Sequence, residues 1–157
     1  MTVTCRRATA TDVGLIHALL VENATNDNGV IAGSEATLLQ HGFGADVKFR
    51  VVLAERDGEA LGLALFFAEY SSWRGTVGAF VQDLYVRPAA RSLGLGRALL
   101  AAVMRESVDW GTTFLTLMVQ HKNKNGQGFY AAQGFTLRAN SDCLICEGTA
   151  LQALMTG

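Results

Sequence analysis

Cysteine is scarce: Cys5, Cys143 and Cys146 are an odd number without the dense spacing of a disulfide scaffold, so structural disulfides are not expected. The last two form a C-x-x-C, Cys143-Leu144-Ile145-Cys146, but no second pair or nearby histidine completes a zinc set. They read as core or edge-strand cysteines, and no metal is expected. A long hydrophobic run is also lacking, and Met1 leads into an alternating segment rather than a basic region followed by an apolar stretch. The expectation is a cytoplasmic protein with no membrane partner. Nor is there an excess of charge. Thirteen basic against 14 acidic residues give a formal charge of -1, with no basic stripe to offset a phosphate backbone, so nucleic acid is not an expected partner. The densest basic cluster, Lys122-Asn123-Lys124, reads as a solvated loop that could also touch an anionic cofactor.

What is present is a chain of 157 residues, half of them apolar, enough for one domain over 1–157 with a substantial core. Residues 3–7 alternate like a strand. Thr11 and Asp12 then cap a helix that turns Val13, Ile16, Leu19 and Leu20 inward, and Asn23 to Gly33 breaks the period. Ser34 and Glu35 start a short helix through Leu39, ended by His41-Gly42-Phe43-Gly44. Strands at 49–55 and 60–70 flank Arg56-Asp57-Gly58-Glu59, a hairpin signal. A turn at Trp73-Arg74-Gly75 leads to a third strand over 77–86, closed by the only proline, Pro88. The period of Leu95, Leu99, Ala102, Val103 and Val108 gives a helix to Trp110, followed by a strand over 114–119. A short helix over 127–133 ends at Gly134, strand-like segments lie around Leu137 and Leu144, and a short amphipathic tail follows. The expected class is α/β, a central mixed sheet flanked by helices, antiparallel first and with a parallel crossover later.

The stretch Val81 to Arg97 places an R-x-x-G-x-G loop, Arg91-Ser92-Leu93-Gly94-Leu95-Gly96, between strand and helix. Gly94 and Gly96 let an anion approach the backbone, and the first-turn amides favour negative charge. A pyrophosphate suits such a nest. The same glycines could simply make a tight turn. The loop lacks the G-x-x-x-x-G-K-[ST] of a triphosphate site and comes too late in the chain for a dinucleotide-binding unit.

These residues resemble motif A of the GCN5-related N-acetyltransferase (GNAT) family. A second family-like segment, Asn123 to Phe135, follows at the expected distance, and the resemblance covers essentially the whole chain. Within the family the chain is similar to the diamine acetyltransferase branch at Leu38 to Gly44, Tyr70 to Gly75 and Gln82 to Val86. The resemblance implies transfer of acetyl from acetyl-CoA to a small primary amine. It places pyrophosphate on Leu93, Gly94, Leu95, Gly96 and Arg97, with the pantetheine arm along Leu84, Tyr85 and Val86. It opens a cofactor cleft where the strands ending near Val86 and Val119 part, and it suggests a homodimer assisted by C-terminal strands. Arg91 could meet a phosphate or stay solvated, and Asn123 could contact the arm or cap a loop.

The family pattern makes Tyr130 the donor of a proton to the departing thiolate, a role suited to a phenol that stays protonated near neutrality. Packing against Phe129 as a plain aromatic is the other reading. For the general base, Glu69, Asp83 and a water chain stay open. Strand alternation sets Gln82 and Leu84 on one face and Asp83 and Tyr85 on the other. The acceptor side retains Trp73, but Gln82 stands where the branch commonly has glutamate and Ser71 where it has an acid, which weakens an anionic pocket. An acyl-CoA-binding module without turnover, or a thioester hydrolase, are the competing functions.

Overall fold

Runs of β-branched, aromatic and small residues bounded by tight turns dictate the centre of this molecule. The computed structural model describes residues 3–156. These form two compact units, the first ending at Met118 and the second beginning at Val119.

The first unit contains β1 (Val3–Arg7), α1 (Val13–Asn26), α2 (Glu35–Phe43), β2 (Arg50–Arg56), β3 (Glu59–Ser71), β4 (Thr76–Val86), α3 (Leu95–Glu106) and β5 (Leu115–Leu117). The strands lie in chain order, antiparallel from β1 to β4 and parallel between β4 and β5. This is the expected mixed sheet. Asp57 and Gly58 both take positive φ, 54° and 82°, so the β2–β3 loop shortens to a two-residue turn whose twist matches the strands. The parallel step from β4 to β5 is made through α3.

One sheet face packs on α1 and α2. Val13, Ile16, Leu19, Leu20 and Leu38 meet Val51, Leu53, Leu63, Leu65 and Tyr85. Each fully buried aliphatic side chain here contributes about 1.5–3 kcal/mol. The other face receives α3 with Leu99, Ala102 and Val103 buried, and Phe66 meets Trp110 edge-on at 5.8 Å. Arg50 fastens the end of this layer. Its guanidinium lies 4.1 Å from the Trp110 ring centre and holds both Asp109 carboxylate oxygens at 2.6 Å.

Several boundaries differ from those read in the sequence. α1 continues through the polar Asn23 to Asn26, because Asn23 and Asn26 bond Asp83 and Tyr85 on β4; tertiary contacts override weak helix propensity. α2 continues to Phe43, since the Phe49 ring packs where a Gly42 side chain would stand, 2.6 Å from an ideal β-carbon. α3 stops at Glu106, and Val108, expected inside, is 72% exposed in a 3-10 turn ended by Gly111 at φ 68°. β5 is three residues long rather than six.

In the second unit α4 (Lys124–Ala132) starts before Gln127, because Asn123 caps it, and α5 (Gly148–Thr156) forms the tail. The expected strands around Leu137 and Leu144 do not form. Both residues are almost fully exposed, at 87% and 91%, and an alternating pattern becomes a strand only where a neighbour supplies ladder bonds. Cys143 and Cys146 are accordingly exposed and free, neither core nor edge strand, and the C-terminal strands invoked for a dimer are absent among the described residues. Among the described residues no helix is long and apolar enough to cross a membrane.

Candidate active site

The glycine loop is built from the end of β4 outward. Pro88 fixes a 3-10 turn over Pro88–Ala90, and Arg91 Nε donates to the Val86 carbonyl at 3.1 Å, bracing the loop on the strand it leaves. Ser92 and Gly94 then both take left-handed geometry, φ 68° and 76°, around the exposed Leu93. Gly94 is the N-cap of α3, no side chain caps the helix, and no atom lies within 4 Å of where a Gly94 side chain would begin. Leu95, 2% exposed, anchors the first turn in the core. The amides of Leu95, Gly96 and Arg97 therefore lack helical acceptors and are offered to an external one. Alternating backbone handedness and an uncapped helix fit a diphosphate group.

Beside this loop the sheet opens. β4 pairs with β5 only at Ala79↔Leu115, Phe80↔Thr116 and Val81↔Leu117, yet β4 runs on to Val86. The edge of Gln82 to Val86 facing β5 is left without ladder partners. The strands part as expected, past the Val81↔Leu117 pair, with β5 ending at Leu117 rather than near Val119. On the other side, the β3 register jumps from Leu65↔Asp83 to Phe66↔Val81, so the exposed Gln82 bulges without an opposite residue. The bulge has a consequence that plain alternation hides. Val81 turns to the α3 face with Phe66, while Asp83 turns to the α1 face with Leu65 and shares it with Tyr85.

Three polar side chains, those of Asp83, Tyr85 and Arg87, are tied to α1. Asn23 Nδ2 donates to Asp83 Oδ1 at 3.3 Å, and burial pushes the Asp83 carboxyl above the usual range. The Tyr85 hydroxyl donates to Glu22 Oε2 at 3.2 Å and accepts from Asn26 at 3.4 Å. Its ring is buried, so Tyr85 meets the cleft edge through its backbone. Arg87 grips both Glu22 oxygens at 2.8 and 3.0 Å, and this bond holds the Glu22 carboxyl below its usual range. A depressed carboxylate adds stability above the unfolded value of about 4.3 and loses it as pH falls. Glu22→Gln should therefore lower stability by about 1 kcal/mol at pH 7, after allowance for partial exposure. The gap from wild type should close in thermal melts as pH drops from 6 to 3; a gap independent of pH would reject the assignment.

Farther along the same face, Phe67 and Phe80 stack at 5.1 Å, both half-buried. The Glu69 carboxylate reaches across β4 to accept from the Thr116 hydroxyl on β5. Leu84 and Val86 are half-buried, Arg97 is exposed, and Trp73 stands 99% exposed in the β3–β4 turn. Glu69 and Asp83 thus share one face, whereas Trp73 makes no part of it. Two hollows of about 340 and 320 Å3, around Phe49, Arg50 and Trp110 and around Gln40 and His41, include no residue of the glycine loop.

In the second unit Asn123 Oδ1 accepts from the Gly126 amide at 2.9 Å, so its side chain is a helix cap. The Tyr130 ring is wedged edge-on between Phe129 and Phe135 at 5.2 and 5.5 Å. Burial pushes its phenol above the ordinary range, and the hydroxyl has no hydrogen-bond partner among the described residues. It is thus both a packed aromatic and an available donor. Sequence reasoning missed Glu22, Asn23, Arg87, Phe67, Phe80 and Thr116. Counting outward from the β3–β4 turn would have paired Phe67 with Phe80; no local signal marks the others.

A protein-family model described as the acetyltransferase (GNAT) family matches residues 13–135. Thialysine N-epsilon-acetyltransferase of Bos taurus is 30% identical over 165 residues, covering 97% of this chain and 96% of that protein. Aminoalkylphosphonate N-acetyltransferase of Salmonella typhimurium is 28% identical over 137 residues, covering 83% of this chain and 82% of that protein. Among solved structures, an integron cassette protein from the mobile metagenome of V. cholerae has a TM-score of 0.81 at 21% identity, covering 100% of this chain and 99% of that one.

Proposed function

This chain belongs to the acetyltransferase (GNAT) family and is an acetyl-CoA-dependent N-acetyltransferase; on that premise we propose that its acceptor is a small primary amine. The observation that carries the proposal is the face beside the β4–β5 parting, where the stacked Phe67 and Phe80 lie with the carboxylates of Glu69 and Asp83. Aromatic faces and carboxylates attract a cation on an apolar stem.

Acetyl-CoA supplies an acetyl group already activated as a thioester. The chain's own residues position it and manage protons. Amides of Leu95, Gly96 and Arg97, with the left-handed turns at Ser92 and Gly94, bind the pyrophosphate. The free edge of β4 from Gln82 to Val86 offers backbone donors and acceptors to the pantetheine arm. Tyr130 keeps its proton at neutral pH and gives it to the departing thiolate.

The amide of Gln82 hydrogen-bonds but carries no charge, so the most highly charged polyamines gain less here than at a site with glutamate. A panel of monoamines, diamines, polyamines, amino acids and peptides should show a short amine preferred over spermine. Gln82→Glu should then raise the relative preference for the more cationic acceptor about fivefold. Preference for spermine over every smaller amine would contradict the role of Gln82, and an unshifted variant would place recognition elsewhere.

A further inference from the structure

We propose that Glu69 is the carboxylate that receives the acceptor's ammonium and takes its proton, the role that Gln82 has no charge to fill. The inference rests on the acetyl-transfer reading above and selects one residue within it.

Three observations separate Glu69 from Asp83. First, Glu69 opposes Gly78 on β4, and its carboxylate accepts from Thr116, which pairs with Phe80. Its backbone thus lies three register positions before Val81↔Leu117, the last rung before the strands part, but its carboxylate reaches forward to the Phe80↔Thr116 rung, one position short of that last rung. Second, its face carries the stacked Phe67 and Phe80, a floor for the methylene stem of an amine. The apolar cluster beneath α1 and α2 reaches only Leu65 on β3, and beyond it these side chains are half-buried rather than covered. Third, Asp83 is bonded to Asn23 among the contacts that seat α1 on β4, whereas the hydrogen-bond partner of Glu69 is Thr116 of β5, the strand that parts from β4.

Asp46, Lys48 and Arg50 share with Phe67 the lining of the hollow of about 340 Å3, where Lys48 is paired with Asp46, and Arg50 pairs with Asp109. Arg74 of the β3–β4 turn lies over the Phe114 ring at 5.1 Å, on the side where a Gly78 side chain would stand, and forms no ion pair with Glu69. Asp83 lies four β3 residues away by register, roughly 13 Å along the strand. β5 contributes the Thr116 hydroxyl and α1 the Asn23 amide.

The step balances without a further reactant. The ammonium transfers one proton to a Glu69 oxygen, and the freed lone pair forms the N–C bond as the C–S bond breaks. Of the two protons that nitrogen loses, one ends on the coenzyme A sulfur and the other passes through Glu69 to solvent. Because the bound ammonium supplies the proton and the Glu69 carboxylate accepts it, wild-type kcat/KM should be level between pH 7 and 9. In Glu69→Gln the amine must arrive already neutral. For an alkylamine with a pKa of about 10.4, that fraction rises about tenfold per pH unit over this range.

The test measures kcat/KM from pH 7 to 9 by product mass for wild type, Glu69→Gln and Asp83→Asn, with calorimetric binding of the same amine to the coenzyme A complex. Glu69→Gln should lose about 10²-fold or more at pH 7, acquire the rising profile and bind the amine about tenfold more weakly. Asp83→Asn should slow the reaction but keep the level profile. An active wild type with a level Glu69→Gln profile overturns this inference alone, as does a rising profile confined to Asp83→Asn. A wild type that acetylates no amine overturns the functional reading and this residue with it.

Discussion

Tyr130→Phe should bind coenzyme A as tightly as wild type and transfer acetyl about 10²-fold or more slowly. Phenylalanine preserves the ring that Phe129 and Phe135 hold at 5.2 and 5.5 Å, so the packing of α4 survives the substitution. Only the hydroxyl is lost. That hydroxyl has no hydrogen-bond partner to forfeit among the described residues, and stability should change little. The rate has more at stake, since a thiolate that leaves without a proton is the poorer leaving group. Burial holds the phenol above its usual range, so the acid form persists throughout neutral pH and the wild-type rate should not decline until the solution is strongly alkaline. Pre-steady-state transfer beside a coenzyme A titration separates the effects. An unchanged chemical rate removes Tyr130 from this role, and loss of folding and binding together would leave it a packing residue.

Gly96→Val should have the opposite signature: coenzyme A affinity falls roughly 30-fold, equivalent to about 2 kcal/mol, while the melting temperature holds. Gly96 is the second residue of α3, in the turn whose amides face outward past the uncapped Gly94. A branched side chain there denies a diphosphate close approach to the backbone. The fold should tolerate the change, because valine in a helix is slightly better than glycine. The core contact of this turn belongs to Leu95 and is untouched. Equal losses of stability and affinity would mean that the glycine serves the turn rather than the ligand.

The sequence exposed the local rules of the fold more fully than its long-range ones. Asp57-Gly58 announced a tight hairpin, Ser34 a helix start, and Arg91 to Gly96 a strand-to-helix anion loop, because each depends on a few adjacent backbone conformations. The bulge at Gln82 was hidden. β4 buries side chains on both faces, so its apolar pattern carries no period from which a skipped residue could be noticed. That bulge decides the site, since it sends Asp83 and Val81 to opposite faces. The extension of α1 was equally hidden, because Asn23 and Asn26 are helical only through partners about 60 residues away. Leu137 and Leu144 failed in the other direction: they carry a strand-like pattern, and no paired strand receives them.

Acetyl transfer to a small amine is tested most directly by incubating the protein with acetyl-CoA and each amine in turn, then quantifying both released coenzyme A and product by mass. An incubation without acceptor runs alongside. One N-acetylated small amine should form in equal amount with coenzyme A, with little release when the amine is omitted. Coenzyme A released without any acetylated amine would make the protein a thioester hydrolase, and tight binding with no turnover across the panel would make it a binding module; either result would overturn acetyl transfer to a small amine.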